Sequence, residues 1–238
     1  MQSAVQVIVY LTGFVLELLA IAGMLRGPYR RYPFIFVYII ADFLTTVIEM
    51  KFDISAYLGN KAAEPYLVTY YWIDEVILQV LVYSAVISLL YFATSTLRSR
   101  RILRLCVICF ALLFAGISFV IYYRPRTIAV GEWMTPWSSN LNFCSAILDL
   151  ALWALLIASR EKDQRLLMLS GALGIQFTGE AIGHALRNLS RRNHSTLMVS
   201  LGNAVAVLTY LAFLYILWQT FRPSRAKNLS GMRDVKKT

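Results

Sequence analysis

Arg165-Leu-Leu-Met-Leu-Ser-Gly-Ala-Leu-Gly-Ile-Gln-Phe-Thr-Gly-Glu-Ala-Ile-Gly-His-Ala-Leu-Arg187 is long enough to cross a bilayer as a helix, yet it carries Gln176, Glu180 and His184. At about 100° per residue these three fall within an arc of roughly 80°, with Gly179 and Gly183 beside them. A carboxylic acid and an imidazole facing lipid would each cost on the order of a few kcal/mol, so this side must face protein or water. The Gly179-x-x-x-Gly183 spacing lets a neighbouring backbone approach closely. The stretch therefore predicts a membrane-spanning helix packed in a bundle with a polar interior.

The remainder of the chain supplies that bundle. Its 238 residues are 58% hydrophobic and 15% charged, with a mean hydropathy of +0.60, too apolar for an ordinary soluble domain. Apolar runs at about 5–25, 33–50, 66–96, 102–123, 138–159, 165–187 and 195–221 each approach or exceed the ~20 residues a spanning helix needs. The fold class is an all-α membrane protein, a seven-transmembrane helix bundle forming one domain over 1–221, with a basic, disordered tail over 222–238. The first run lacks a basic flank and a small-residue cleavage site, and is expected to be a retained span. No proline interrupts the runs beyond Pro33, at the first turn of the second, which argues against the broken helices of many secondary transporters.

The net charge of +10 does not indicate nucleic acid, because the basic residues lie between apolar runs and in the tail. Sixteen of the 23 lysines and arginines fall on one side, among them Arg26, Arg30, Arg31, Arg98, Arg100, Arg101, Arg104, Arg160, Lys162 and Arg165. That side is expected to be cytoplasmic, with the N-terminus outside, the C-terminus inside and the lipid bilayer as an obligate partner. Tyr122, Tyr123, Trp133 and Trp137 bracket an outer connection where an aromatic belt belongs. Asn188-Leu-Ser190 and Asn193-His-Ser195 match glycosylation acceptors on the outer side. Cys106, Cys109 and Cys144 lie inside apolar runs, so no disulfide framework is indicated, and Cys106-x-x-Cys109 is read as two small packing residues.

Helical spacing predicts polar stripes on six of the spans. They comprise Tyr10, Gly13 and Glu17 in the first, and Tyr38, Asp42, Thr45 and Glu49 in the second. The third aligns Tyr71, Glu75 and Gln79 with Asp74 alongside, and the fifth aligns Asn142, Ser145, Asp149 and Trp153. The sixth carries the residues named above, and the seventh aligns Thr196, Ser200, Asn203 and Tyr210. The fourth, Ile102 to Tyr123, has no ionisable residue beyond Arg104 before its end and is expected to lie at the periphery.

Arginine and lysine are confined to span ends and loops, so buried acids lack intramembrane cations. Each must be protonated, hydrogen-bonded, solvated by a cavity or paired with a bound cation. At 1.5 Å per residue, Glu49, Asp74, Glu75, Glu180 and His184 fall in the outer half of a ~30 Å core, with Asp42, Asp149 and Glu17 nearer the midplane. The expected site is an outer cavity lined by Glu49, Asp74, Glu75, Gln176, Glu180 and His184 above a layer holding Asp42 and Asp149. It would take a proton, a metal cation (candidate ligands Glu180 and His184) or a small amine, for transport or for sensing through a cytoplasmic partner. Two alternatives stand beside it: a subunit of a larger membrane complex, with the stripes as interhelical hydrogen-bond glue, and an intramembrane hydrolase with Glu180 and His184 as acid and base. No nucleophile motif accompanies that pair, and no cofactor is expected.

The seventh span contains no lysine for a retinal Schiff base, and the third ends Ser95-Thr96-Leu97-Arg98 without a G-protein-coupled receptor signature. Only His184 and His194 are present, too few for a zinc hydrolase resembling alkaline ceramidases. Arg30-Arg31-Tyr32-Pro33 before the second span and Tyr71-Trp72-Ile73-Asp74-Glu75 in the third resemble a group of uncharacterised bacterial seven-helix membrane proteins. That resemblance implies a multi-pass topology in a bacterial inner membrane and no particular activity.

Overall fold

Glycine sets the first reversal of the chain. Gly27 adopts φ 134°, a conformation that side chains other than hydrogen rarely tolerate, and turns the backbone into a single 3-10 turn at Pro28–Arg30. In the computed structural model, residues 2–57, 64–94, 100–123, 131–158, 163–193 and 196–222 are described. They form helices α1 (Gln2–Leu25), α2 (Pro33–Tyr57), α3 (Glu64–Ala93), α4 (Arg100–Tyr122), α5 (Gly131–Ala158), α6 (Gln164–Asn193) and α7 (Thr196–Phe221). All seven are long and apolar enough to span a membrane, and the described residues contain no strand. The molecule is thus an all-α, multi-pass membrane bundle. His194, most of the basic tail and the short connections fall outside the described residues, as do the side chains of Tyr71 and Trp133.

Neighbouring helices close a ring in the order α1, α2, α3, α5, α6, α7 and back to α1, while α4 packs outside it against α3 and α5. Only 11% of the α4 span is buried, as its lack of polar residues leads one to expect. Cys106 and Cys109 lie exposed on this outer helix, so they are not the packing residues expected from their spacing; Cys144 is buried in the ring. Its Sγ stands 3.6 Å from the Tyr83 hydroxyl, which donates to the Ala111 carbonyl on α4 at 2.9 Å.

Several helices run further than their apolar runs, α2, α5 and α6 by the most. Beginning at Gly131, α5 takes in Pro136, which lies just before the apolar span that starts at Trp137. Continuing to Asn193, α6 makes 188–190 helical where a loop acceptor was expected, and it carries Arg187 inside the helix. At its other end Asp163 caps α6, its Oδ1 accepting from the backbone N–H of Arg165 at 3.0 Å and Leu166 at 3.3 Å. Asp163 Oδ2 pairs with Arg31 Nη2 at 2.7 Å and so ties the starts of α2 and α6 together.

The closest seam is α6 on α7. A Cβ on Gly183 would stand 3.0 Å from the Gly202 carbonyl oxygen, a Cβ on Gly202 would stand 3.0 Å from the Gly183 carbonyl oxygen, and one on Gly179 would collide with Thr209. Small residues here let the two backbones touch. This seam also turns the expected α7 stripe around: Thr196, Ser200 and Asn203 are exposed, and only Tyr210 faces the ring. On α5, Asn142, Ser145 and Asp149 are buried but Trp153 is 43% exposed.

The ring interior is divided by depth. Met24, Tyr32, Ile39, Leu89, Leu152, Leu169, Leu214 and Leu217 are all at most 1% exposed and fill the half of the ring next to the α1–α2 turn. Tyr32 packs against Phe92 and Phe221 there, with centroids 6.1 and 6.0 Å away. The buried acids and amides other than Asp149 collect above this plug, toward the end where α1 begins.

Candidate functional site

Two cavities adjoin above the plug. The first, about 430 Å³, lies among α1, α2, α3 and α7 and is lined by Glu17, Asp42, Thr46, Glu49, Asp74 and Glu75, among others. The second, about 250 Å³, lies among α2, α3, α5, α6 and α7 and is lined by Glu75, Gln79, Asn142, Gln176, Glu180, His184 and Arg187, with Tyr38 and Ser138. Asp42, Glu75, Leu78 and Tyr210 line both and form the partition between them. The sequence suggested one cavity above an acidic layer; helical ring closure instead sets two chambers side by side, because α2 and α3 present Asp42, Glu75 and Leu78 toward the centre and α7 adds Tyr210.

The second cavity is organised around Glu180. Asn142 Nδ2 donates to Glu180 Oε2 at 2.8 Å, and Gln176 Nε2 donates to Glu180 Oε1 at 3.3 Å and to the Tyr38 hydroxyl at 2.8 Å. With both amide N–H groups turned toward these partners, the amide oxygens are left over. Asn142 Oδ1 and Gln176 Oε1 are buried without a hydrogen-bond partner among the described residues, as is Gln79 Nε2. The parent residues are 7%, 5% and 8% exposed, so these atoms depend for partners on whatever occupies the cavity. An unpaired buried polar group costs about 1–3 kcal/mol, which makes this cavity a place where a suitable occupant is rewarded.

The partition holds a different arrangement. The Tyr210 hydroxyl oxygen lies 2.6 Å from Glu17 Oε1 and 2.6 Å from Asp42 Oδ2. A phenol has one proton and can donate to only one of them. The second short O···O contact therefore requires a proton on Glu17 or Asp42, donated to the phenol oxygen. Thr46 Oγ1 also approaches Glu17 Oε1 at 3.2 Å, Thr45 Oγ1 donates to Asp74 Oδ1 at 2.6 Å, and Ser138 Oγ donates to Glu75 Oε1 at 3.2 Å. Glu17 Oε2 has no partner among the described residues.

Of the residues singled out from sequence, Glu49, Asp74 and Asp42 line the first cavity. Gln176, Glu180, His184 and Asp42 line the second, and Glu75 lines both. Asp149 joins neither. Its Oδ1 accepts from Ser170 Oγ at 2.8 Å and its Oδ2 rests against Gly174, in a separate recess between α5 and α6 shared with the exposed Leu150 and Trp153. Two turns separate it from Asn142 on the same helix face, and at that depth the ring is filled by the plug. As to a metal, no group of three or more His, Cys, Asp or Glu side chains comes together among the described residues.

Arg187 and Glu17 complete the site and were undervalued by sequence. Arg187 was counted as a span end, yet it follows Glu180 by seven residues and so repeats its helix face. Its side chain folds back along α6, placing Nη2 3.7 Å from where a Gly183 Cβ would stand. It is half-buried, lines the second cavity, and has no ion-pair partner among the described residues.

Set against protein-family models, curated proteins and solved structures, the chain matches none.

Proposed function

We propose that this protein is a membrane-embedded binding protein of the receptor or carrier type, and that its second cavity takes a small organic ammonium ion. The observation that carries the reading is the pair of unpartnered amide oxygens, Asn142 Oδ1 and Gln176 Oε1, beside the Glu180 carboxyl. An ammonium group offers N–H donors in several directions and one positive charge, which matches neutral acceptors grouped around a carboxylate. At about 250 Å³ the cavity is smaller than a typical drug-sized pocket and suits a small ligand. A bare metal ion fits less well, because Glu180 already accepts two amide hydrogens and belongs to no group of three or more His, Cys, Asp or Glu side chains among the described residues. Positive-inside topology in a cell membrane, which the loop charges support, would open this end of the bundle to the exterior.

A thermal-unfolding screen of the purified protein in detergent or nanodiscs against small amines tests this. An amine that binds only the folded state adds RT ln(1 + [L]/Kd) to stability and raises the midpoint. Glu180→Gln should fold and lose the shift, and failure of every amine to move the midpoint would overturn the reading.

A second reading, a subunit of a larger membrane complex, is favoured by the outward polar face of α7, where Thr196, Ser200 and Asn203 are exposed. Such side chains on a lipid-facing surface are costly and gain from a protein neighbour. Size measurement after mild solubilisation separates a monomer from a complex.

A further inference from the structure

The second cavity has two chemically opposite poles. At one pole stand Glu180 and the free acceptor oxygens of Asn142 and Gln176. Toward the other end stands the Arg187 guanidinium; the lining also holds the Glu75 carboxyl, which attracts it, and the unpartnered donor Gln79 Nε2. Glu180 and Arg187 are about 10 Å apart along the α6 axis at 1.5 Å per residue. Helical side chains lean toward the N-terminus, and the position of Arg187 Nη2 beside Gly183 shows this one doing so, which draws the guanidinium down toward the acidic pole. Glu75 and Glu180 attract this half-buried guanidinium, but no carboxylate among the described residues lies within ion-pair distance of it, and its planar fork matches a carboxylate.

We infer that the ligand of this cavity is a small zwitterion, an amino acid-like molecule whose ammonium group meets Glu180, Asn142 and Gln176 while its carboxylate meets Arg187. This rests on the ammonium-binding reading and adds the second charge. A simple amine fills only the acceptor pole and leaves the guanidinium without a direct carboxylate contact. A zwitterion neutralises both poles together and leaves the net charge of the cavity unchanged. The half-buried His184, one turn from Glu180 and three residues before Arg187, lies between the poles on the same helix.

The test compares matched probes on the wild-type protein by thermal shift and calorimetry: methylammonium against glycine, ethylammonium against β-alanine, propylammonium against γ-aminobutyrate, and each amino acid against its methyl ester. At least one amino acid should bind about tenfold or more tightly than both its matched amine and its ester, the scale expected for a charge-assisted carboxylate contact. In Arg187→Gln that preference should vanish while the amine still binds. Should every amine and ester bind as tightly as its amino acid, the zwitterion inference fails and the ammonium site stands. Should neither amines nor amino acids bind, both readings fall. Because the preference is read on the wild type, the outcome does not depend on Arg187→Gln folding; if that variant folds and keeps the preference, Arg187 is not the carboxylate partner and the inference is likewise overturned.

Discussion

The Tyr210 hydroxyl oxygen stands 2.6 Å from Asp42 Oδ2 and thereby joins α7 to α2 across the centre of the ring. The same oxygen is 2.6 Å from Glu17 Oε1 on α1, so one phenol links three helices and shares in one more proton than it owns. Tyr210→Phe should therefore lower the unfolding midpoint markedly, at a cost of about 2 kcal/mol or more, because buried carboxyl oxygens lose their donor. Adding Glu17→Gln to Tyr210→Phe should cost less than the sum of the two single changes, a coupling readable in a double-mutant cycle.

At Glu180 the partners decide the sign. Glu180→Gln keeps a carbonyl acceptor for Asn142 or Gln176 and should be nearly neutral without ligand. Glu180→Leu strands the Asn142 Nδ2 donor and should cost about 1–3 kcal/mol in thermal unfolding.

The α6–α7 seam gives a graded expectation. A methyl at Gly183 meets the Gly202 carbonyl oxygen at 3.0 Å, and backbone cannot swing aside as a flexible side chain does. Gly183→Ala should destabilise by about 1–3 kcal/mol. Gly116→Ala, on the peripheral α4 with no atom within 4 Å of the added methyl, should be neutral or slightly stabilising in the same measurement.

Asp163 combines a cap with an ion pair whose side chains are 28% and 55% exposed. Asp163→Asn keeps a good capping group and loses only the pair with Arg31, so it should cost at most about 1 kcal/mol. Asp163→Ala removes the cap as well and should cost about 1 kcal/mol more; equal losses would assign the whole effect to the ion pair.

Topology admits a direct check. A reporter fused after Thr238 should respond as cytoplasmic and one inserted near Gly59 as external, following the excess of lysine and arginine in the connections between α1 and α2, α3 and α4, and α5 and α6. The reverse pattern would turn both cavities toward the cytoplasm.

The seven spans and the peripheral place of α4 were readable because length and hydropathy set them locally, residue by residue. The α6 face was readable too, since Gln176, Glu180 and His184 recur at four-residue intervals and the helix has only one way to hide them. The orientation of α7 was not. Its small hydroxyl and amide residues promised an interior face, but Gly202 fits so closely against Gly183 that backbone contact outweighs them and turns Ser200 and Asn203 outward. A preference of that kind belongs to a pair of helices and leaves no signal in either alone. Asp149 was misplaced for a related reason: helical periodicity gives its angle and not the filling of the ring at its depth. Arg187 was lost at a boundary, because hydropathy fell off two turns before the helix did.

The leucine- and aromatic-filled half of the ring beneath the two chambers gives this architecture a floor. Met24, Ile39, Leu89, Leu152, Leu169, Leu214 and Leu217 come from six different helices and pack together below Asp42. In this conformation the packed side chains stand between the two chambers and the α1–α2 turn. On the reading proposed above, the presence of a visitor would be carried to the far side as a tilt or rotation of helices that reach from the chamber walls through the floor. Passage of the visitor itself would require that floor to be rebuilt.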